Sequence, residues 1–419
     1  MAEKLIQAHG NWVAGEGRFW DREHEIDLFI EALAEGANLS LVAQRRIGKT
    51  SLMREVSRRL EARNQYICLH VDLQQAHVAK DLVVELSKAT HPHKSLWGKT
   101  REVFSNIFGQ AAEGIESLQL DEITVKLRDG LIGANWEAKG DRLLAVLAAS
   151  EKPVVIFMDE VPILVNRILK GADFKMTPER VAAADQFMSW LRKNSIEHRG
   201  KIRFVVTGSI GFEPILRQAR LSATINHFEA FGLDPWDAKT AIGCLKALAN
   251  QYGVKFQEGA CERLVKQLGS CIPHHVQMFF SHLYKDCRRR GSMACSIRDV
   301  GRVYEKHMLS ARGHAELSTY EERLKMELGE KLLPFVLELL TEAAVAGRLS
   351  SQALDFYRKD HGLKGPDGLD KAREVLDVLT HDGYLQLKPK GYVFISHLLR
   401  DWWKGRFEFG FTVAAERKE

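Results

Sequence analysis

The sequence has no C-x-x-C pair, no internal repeat and no low-complexity tract, and no apolar run approaches the roughly 20 residues that cross a bilayer. Without paired cysteines there is no sign of a zinc ribbon or a disulfide framework. Five of the six cysteines fall between Cys244 and Cys295, and all six are expected as reduced thiols. Cys271 with His274 and His275 lacks further ligands at zinc spacing, so these three are expected as core residues. The opening Met1–Gln7 holds no apolar core of signal-peptide length. The chain is therefore expected in the cytoplasm, with no membrane partner.

Charge of one sign is also scarce. Lys plus Arg number 60 and Asp plus Glu 55, so the net charge is only +5. Such an excess permits an anionic partner without demanding one. What is present is ordinary for a folded protein: 45% hydrophobic and 27% charged residues exclude a mostly disordered or collagen-like chain. A length of 419 residues implies two or three domains.

Pattern shifts give the boundaries. Residues 1–240 alternate short β-branched runs with amphipathic stretches, and the runs Leu39–Ala43, Tyr66–Val71, Val154–Met158, Ile202–Val206 and Phe228–Leu233 predict strands. Continuous apolar strands separated by helical patterns indicate a parallel sheet with helices on both faces, an α/β core. About 70 residues from Ala76 to Leu147 interrupt that rhythm as a helical insert, in which the alternation Ile123-Thr124-Val125-Lys126-Leu127 suggests one strand. Residues 241–325 read as a helical lid, with Asp234 or Asp237 capping its first helix and Pro273 opening its third. Residues 326–410 read as three helices (331–346, 350–360, 368–380) and a hairpin of Tyr384–Leu387 with Tyr392–Ile395. That is the pattern of a winged helix-turn-helix; residues 411–419 are left as a tail.

The strongest chemical signal is Gln44-Arg45-Arg46-Ile47-Gly48-Lys49-Thr50-Ser51, which follows a predicted strand and opens a helix. This is the context of a P-loop. Backbone N–H groups of such a loop converge on a polyphosphate. Gly48 lets the backbone approach, Lys49 reaches the β- and γ-phosphates, and the Thr50 hydroxyl joins a Mg²⁺ shell. Ala43 stands where such loops usually carry their first glycine, and alanine fits there if its φ is negative. The run Val154–Met158 then ends in Asp159-Glu160, an odd place for two carboxylates unless Asp159 serves Mg²⁺ and Glu160 polarises the attacking water. A third strand ends in Thr207-Gly208-Ser209, where Thr207 or Ser209 is placed to sense a γ-phosphate. Arg217 and Arg220 follow as candidate arginine fingers toward a neighbouring protomer, Arg220 being preferred.

With these residues in place, the chain resembles the STAND-like, archaeal-type branch of P-loop ATPases, next to the AAA+ proteins. Phe19-Trp20-Asp21-Arg22-Glu23-His24-Glu25 is similar to that group's F-x-x-R-E-x-E, and Arg45–Ser51 to its R-R-x-G-K-T-S. Ile272–Gln277 resembles its Gly-x-Pro helix start, with Cys271 in place of the glycine, and Tyr392–Trp403 resembles the close of its winged helix. The resemblance implies an ATP- and Mg²⁺-dependent switch whose nucleotide state is read by a protein partner or by its own protomers, in an ATP-dependent oligomer. It also implies that Phe19 and Arg22 lie by the adenine.

A winged helix invites DNA as a partner, yet the charges disfavour it. The presumed recognition segment 366–382 carries Lys371 and Arg373 against Asp367, Asp370, Glu374, Asp377 and Asp382. A helix entering a groove sits between two phosphate strands, and this one brings net negative charge. An ATP-hydrolysing switch is thus the first expectation. A DNA-binding ATPase of the initiator or transposition type, or a nucleotide-binding regulator with negligible turnover, is the alternative.

Overall fold

A computed structural model describes residues 19–108, 120–131, 135–309 and 311–417. The chain divides into two compact units. The first contains residues 22–42 and 49–232; the second contains residues 43–48 and the chain from 233 onward, together with the segment that ends at Asp21. No helix among the described residues is long and apolar enough to cross a membrane.

The first unit is a five-stranded parallel sheet of β1 (Leu39–Val42), β2 (Ile67–Asp72), β3 (Val154–Asp159), β4 (Ile202–Thr207) and β5 (Glu229–Gly232), in the order β2-β3-β4-β1-β5. Val154–Met158 are all buried, as their unbroken apolar run requires when helices cover both faces. The helices are α1 (Glu23–Glu35), α2 (Lys49–Ala62), α3 (Lys80–Ala89), α4 (Lys94–Val103), α5 (Ser105–Phe108), α6 (Leu120–Gly130), α7 (Asn135–Ala148), α8 (Val161–Lys170), α9 (Pro178–Glu197) and α10 (Phe212–Gln218). α1 buries Ile26, Phe29 and Leu33 on one face, and Phe29 meets Phe231 edge-on at 5.0 Å. α2 buries Leu52, Met53, Val56 and Leu60.

The insert is helical where it is described, α3 through α7. The strand expected at Ile123–Leu127 is instead part of α6. Ile123 and Leu127 are fully buried four residues apart while Val125 is 59% exposed, which is the 3.6-residue period of a helix.

The second unit is mainly helical: α11 (Ala238–Tyr252), α12 (Ala260–Leu268), α13 (Pro273–Arg290), α14 (Ile297–Val303), α15 (Ala311–Val345), α16 (Ser351–Asp360), α17 (Gly365–His381) and α18 (His397–Phe407). Asp237, rather than Asp234, caps α11 by accepting from the Thr240 N–H at 2.6 Å, and Pro273 opens α13. Gly329, with φ 77°, interrupts α15 just before the helix expected from Lys331. The hairpin pairs β8 (Leu385–Lys388) with β9 (Gly391–Phe394) in antiparallel register, completing the winged helix-turn-helix with α16 and α17. A two-residue parallel ribbon, β6 (Lys255–Phe256) with β7 (Ala294–Cys295), has no counterpart in the sequence reading. All six cysteines are buried and free of disulfides.

Residues 411–417 are docked, although their sequence reads only as a tail. The Arg417 guanidinium lies 5.1 Å from the Tyr357 ring centre and 5.4 Å from that of Phe411, and donates to Glu338 Oε1 at 3.0 Å. The Ala414 N–H donates to Glu342 at 3.0 Å. These contacts fasten residues 411–417 to α15 and α16.

Candidate functional site

In a parallel sheet the carboxyl ends of all strands lie on one edge, so each strand delivers its last residues to the same place. β1 leads into the loop Ala43–Gly48, and α2 begins at Lys49. Gly48 has φ +100°, which a side chain rarely adopts, while Ala43 stays out of the left-handed region, as its substitution for glycine requires. Arg46 is left-handed at φ 64°, and Ile47 is buried. Within the second unit, Arg45 donates to the Thr319 hydroxyl at 2.5 Å and Gln44 lies against Gly383. Ser51, in the first turn of α2, is half-buried.

Lys49 is only 8% exposed on the first turn of α2. Beside it the Thr50 hydroxyl donates to Asp159 Oδ2 at 2.7 Å, joining the start of α2 to the end of β3. Burial foremost, and then the neighbouring charge of Glu160, push the Asp159 carboxyl above its usual range; the Thr50 hydrogen bond and the Lys49 charge oppose them. Asp72, paired in register with Asp159 at the end of β2, adds to the upward push. The sequence reading missed Asp72, although an apolar run ending in an aspartate also marks the end of β2.

Glu160 sits at φ 62°, a left-handed backbone that turns the chain into α8. Its carboxylate accepts from the Ser209 N–H at 2.9 Å and from the Ser209 hydroxyl at 2.6 Å. The close approach behind this pairing depends on Gly208: a Cβ there would lie 2.6 Å from the Pro162 ring on α8. Thr207 is 2% exposed, and its hydroxyl has no hydrogen-bond partner among the described residues. Lys49, Thr50, Asp159, Glu160 and Ser209 therefore converge within the first unit. A hydroxyl and a carboxylate in contact, with an ammonium nearby, are an oxygen donor set suited to Mg²⁺ and an anion. The chemistry of these residues fits a Mg²⁺-nucleotide.

Arg217, Arg220, Arg22 and Phe19 complete the candidates. Arg217 on α10 is paired with Glu213 at 2.6 Å. Arg220 lies beyond the helix at φ 59°, exposed and without an ion-pair partner among the described residues. Arg22 is 6% exposed, left-handed at φ 74°, and bonded to Glu25 at 2.5 Å. Phe19 is half-buried, and its neighbour Trp20 packs by Gly243 of α11.

No family profile and no curated protein matches the chain. Solved structures do. A Walker-type ATPase of Pyrococcus abyssi matches with a TM-score of 0.60 at 15% identity, over 96% of this chain and 99% of that one. The Aeropyrum pernix ORC2 protein in its ADPNP–ADP complexes matches with a TM-score of 0.52 at 14% identity, over 96% of this chain and 98% of the other. Both likenesses run almost end to end. The fold is that of a P-loop NTPase core followed by a helical region and a winged helix-turn-helix.

Proposed function

We propose that the chain is an ATP-binding and ATP-hydrolysing molecular switch of the AAA+ and STAND-like type. The observation that carries this reading is the Thr50–Asp159 contact beside buried Lys49. A hydroxyl at the start of a helix and a carboxylate at the end of a strand are the two protein oxygens that a P-loop protein offers to Mg²⁺. Lys49 and the backbone N–H groups of Gln44–Ser51 hold the phosphates, and Phe19 and Arg22 border the base. Bound Mg²⁺ would neutralise phosphate charge. Glu160 accepts the proton of the attacking water, and Ser209 sets the direction of its carboxylate. Arg220 completes the site of a neighbouring protomer, and a protein partner or a second protomer reads the nucleotide state.

The test is a pair of substitutions. Lys49→Ala removes the ammonium that balances the triphosphate and should abolish nucleotide binding. Glu160→Gln should keep binding and lower hydrolysis by at least about 10²-fold, the usual scale for a general base. Unchanged nucleotide affinity in Lys49→Ala would overturn the assignment.

A DNA-binding ATPase is the second reading, and one observation favours it. Lys388 and Lys390 on the wing and Arg288 at the end of α13 are exposed, with no ion-pair partner among the described residues. Against it, Arg373, Arg400 and Arg406 are each paired with a carboxylate, at 3.0, 2.7 and 2.9 Å. Duplex binding by the full chain over a range of salt separates the two readings. Submicromolar affinity with a steep salt slope, lost on neutralising Lys388 and Lys390, would put DNA first.

A further inference from the structure

β5 is an outer strand of the sheet, and a groove of about 440 Å³ runs along it beneath α1. The Glu229 N–H donates inward to Asn38 of the chain leading into β1, at 2.8 Å. Along a strand, successive residues turn their backbone groups to opposite sides. Glu229 and Phe231 therefore face β1, while Ala230 and Gly232 turn their N–H and C=O groups outward. Those two residues and Glu229 are exposed. An edge left open among the described residues is a template for one more strand.

The groove above this edge has a defined chemistry. Glu25, Leu28, Glu31, Ala32 and Glu35 of α1 line one side, and Glu229 to Gly232 line the other. Leu28 is 44% exposed, a large apolar side chain set among carboxylates. Glu25 is tied to Arg22, but Glu31, Glu35 and Glu229 have no cationic partner among the described residues. α1 carries five carboxylates and neither Lys nor Arg, in a chain whose net charge is +5. The local sign is opposite to that of the whole molecule.

We propose that this edge takes up an extended, Lys- or Arg-bearing segment of a partner protein as a further strand beside β5. Its backbone pairs with Ala230 and Gly232. Its apolar side chains lie on Leu28, Ala32 and Phe231, and its cations meet the glutamates. Main-chain bonds supply affinity in this mode and the side-chain pattern supplies selection. A second copy presenting the same edge is disfavoured, because it would bring the same glutamates face to face. The groove lies three strands from β3 in the sheet order, so the proposal stands independently of the nucleotide reading.

The experiment uses the full chain and fluorescein-labelled octapeptides of the repeat valine-threonine-lysine-threonine, which sets valine and lysine on one face of a strand, read by anisotropy at 0.15 M salt. A glutamate-for-lysine peptide tests charge, and a version N-methylated on alternate amides keeps charge while removing strand pairing. The expected result is binding of the basic peptide at least tenfold tighter than either control. Glu31→Lys with Glu35→Lys should weaken it at least tenfold, with the melting temperature of the protein unchanged. Ala230→Pro should do the same, since it removes only an outward N–H and edge strands tolerate proline there. If Ala230→Pro fails to fold, the charge-reversed protein and the methylated peptide still decide. Equal binding of the methylated peptide, full binding by the charge-reversed protein, or no binding of the basic peptide at 1 mM would each overturn the proposal.

Discussion

Ser209 holds the Glu160 carboxylate through its hydroxyl and its backbone N–H together. Removing the hydroxyl leaves the Glu160 carboxylate held by the backbone N–H alone and freer to turn. Ser209→Ala should therefore lower kcat by about tenfold with nucleotide affinity unchanged, a split that a merely structural residue would not give. Gly208→Ala should reach the same end by another route. Its Cβ collides with Pro162, so the end of β4 must move away from α8. Steady-state kinetics beside nucleotide titration check both. His70 offers a prediction about pH. It is stacked on Phe157 at 5.0 Å and bonded to Ser57 at 3.0 Å, and burial, with Arg54 adding to it, pushes the imidazole down to about 3. Between that value and the ordinary histidine value near 6.5 the unfolded chain binds a proton that the folded chain refuses. Stability from this residue is complete above about pH 6.5 and is lost as the pH falls toward 3. Urea unfolding between pH 4 and 7 should show a slope reduced by about one proton in His70→Gln.

Elements differ in how much of themselves they write into the sequence. β3 was legible because a strand buried on both faces is a continuous apolar run, and β1 and β4 because only a single polar residue, Ser40 or Arg203, interrupts theirs. The turn from β1 into α2 was legible because Gly48 and Lys49 follow an apolar run and precede a helical pattern along the chain. α6 was misread because Ile123, Val125 and Leu127 alternate, and over five residues that pattern also suits a strand; only the exposure of Val125 decides. β6 and β7 are too short to carry any period. The grip of Ser209 on Glu160 was not legible either, since it depends on a left-handed backbone at Glu160. The docking of residues 411–417 falls in the same class: Phe411 and Arg417 look unremarkable until α15 and α16 present Tyr357 and Glu338. Arg417→Ala removes a partly shielded ion pair and a cation lying over aromatic rings. It should cost about 1 kcal/mol and open residues 411–417 to proteases, as denaturation and limited proteolysis would record.

For the whole molecule, the placement of Arg220 matters most. It is exposed and unpaired among the described residues, whereas Arg217 is occupied by Glu213. If Arg220 serves a neighbour, Arg220→Ala and Glu160→Gln chains should each be nearly inactive alone. Mixed, they should recover turnover, because some interfaces then pair an intact Arg220 with an intact Glu160. Turnover per chain should also rise with protein concentration, and a flat profile would make the site self-sufficient. The strand order has a further bearing, on how the chain is made. β1 lies between β4 and β5, so the first of these five strands to leave the ribosome pairs only with the last two. Roughly 160 residues must follow Val42 before Ile202 emerges, which at about 5–20 residues per second is on the order of ten to thirty seconds of synthesis. For that interval Leu39-Ser40-Leu41-Val42 is an unpaired apolar strand beside a growing chain. Depleting chaperones should therefore lower the yield of folded protein in a cell.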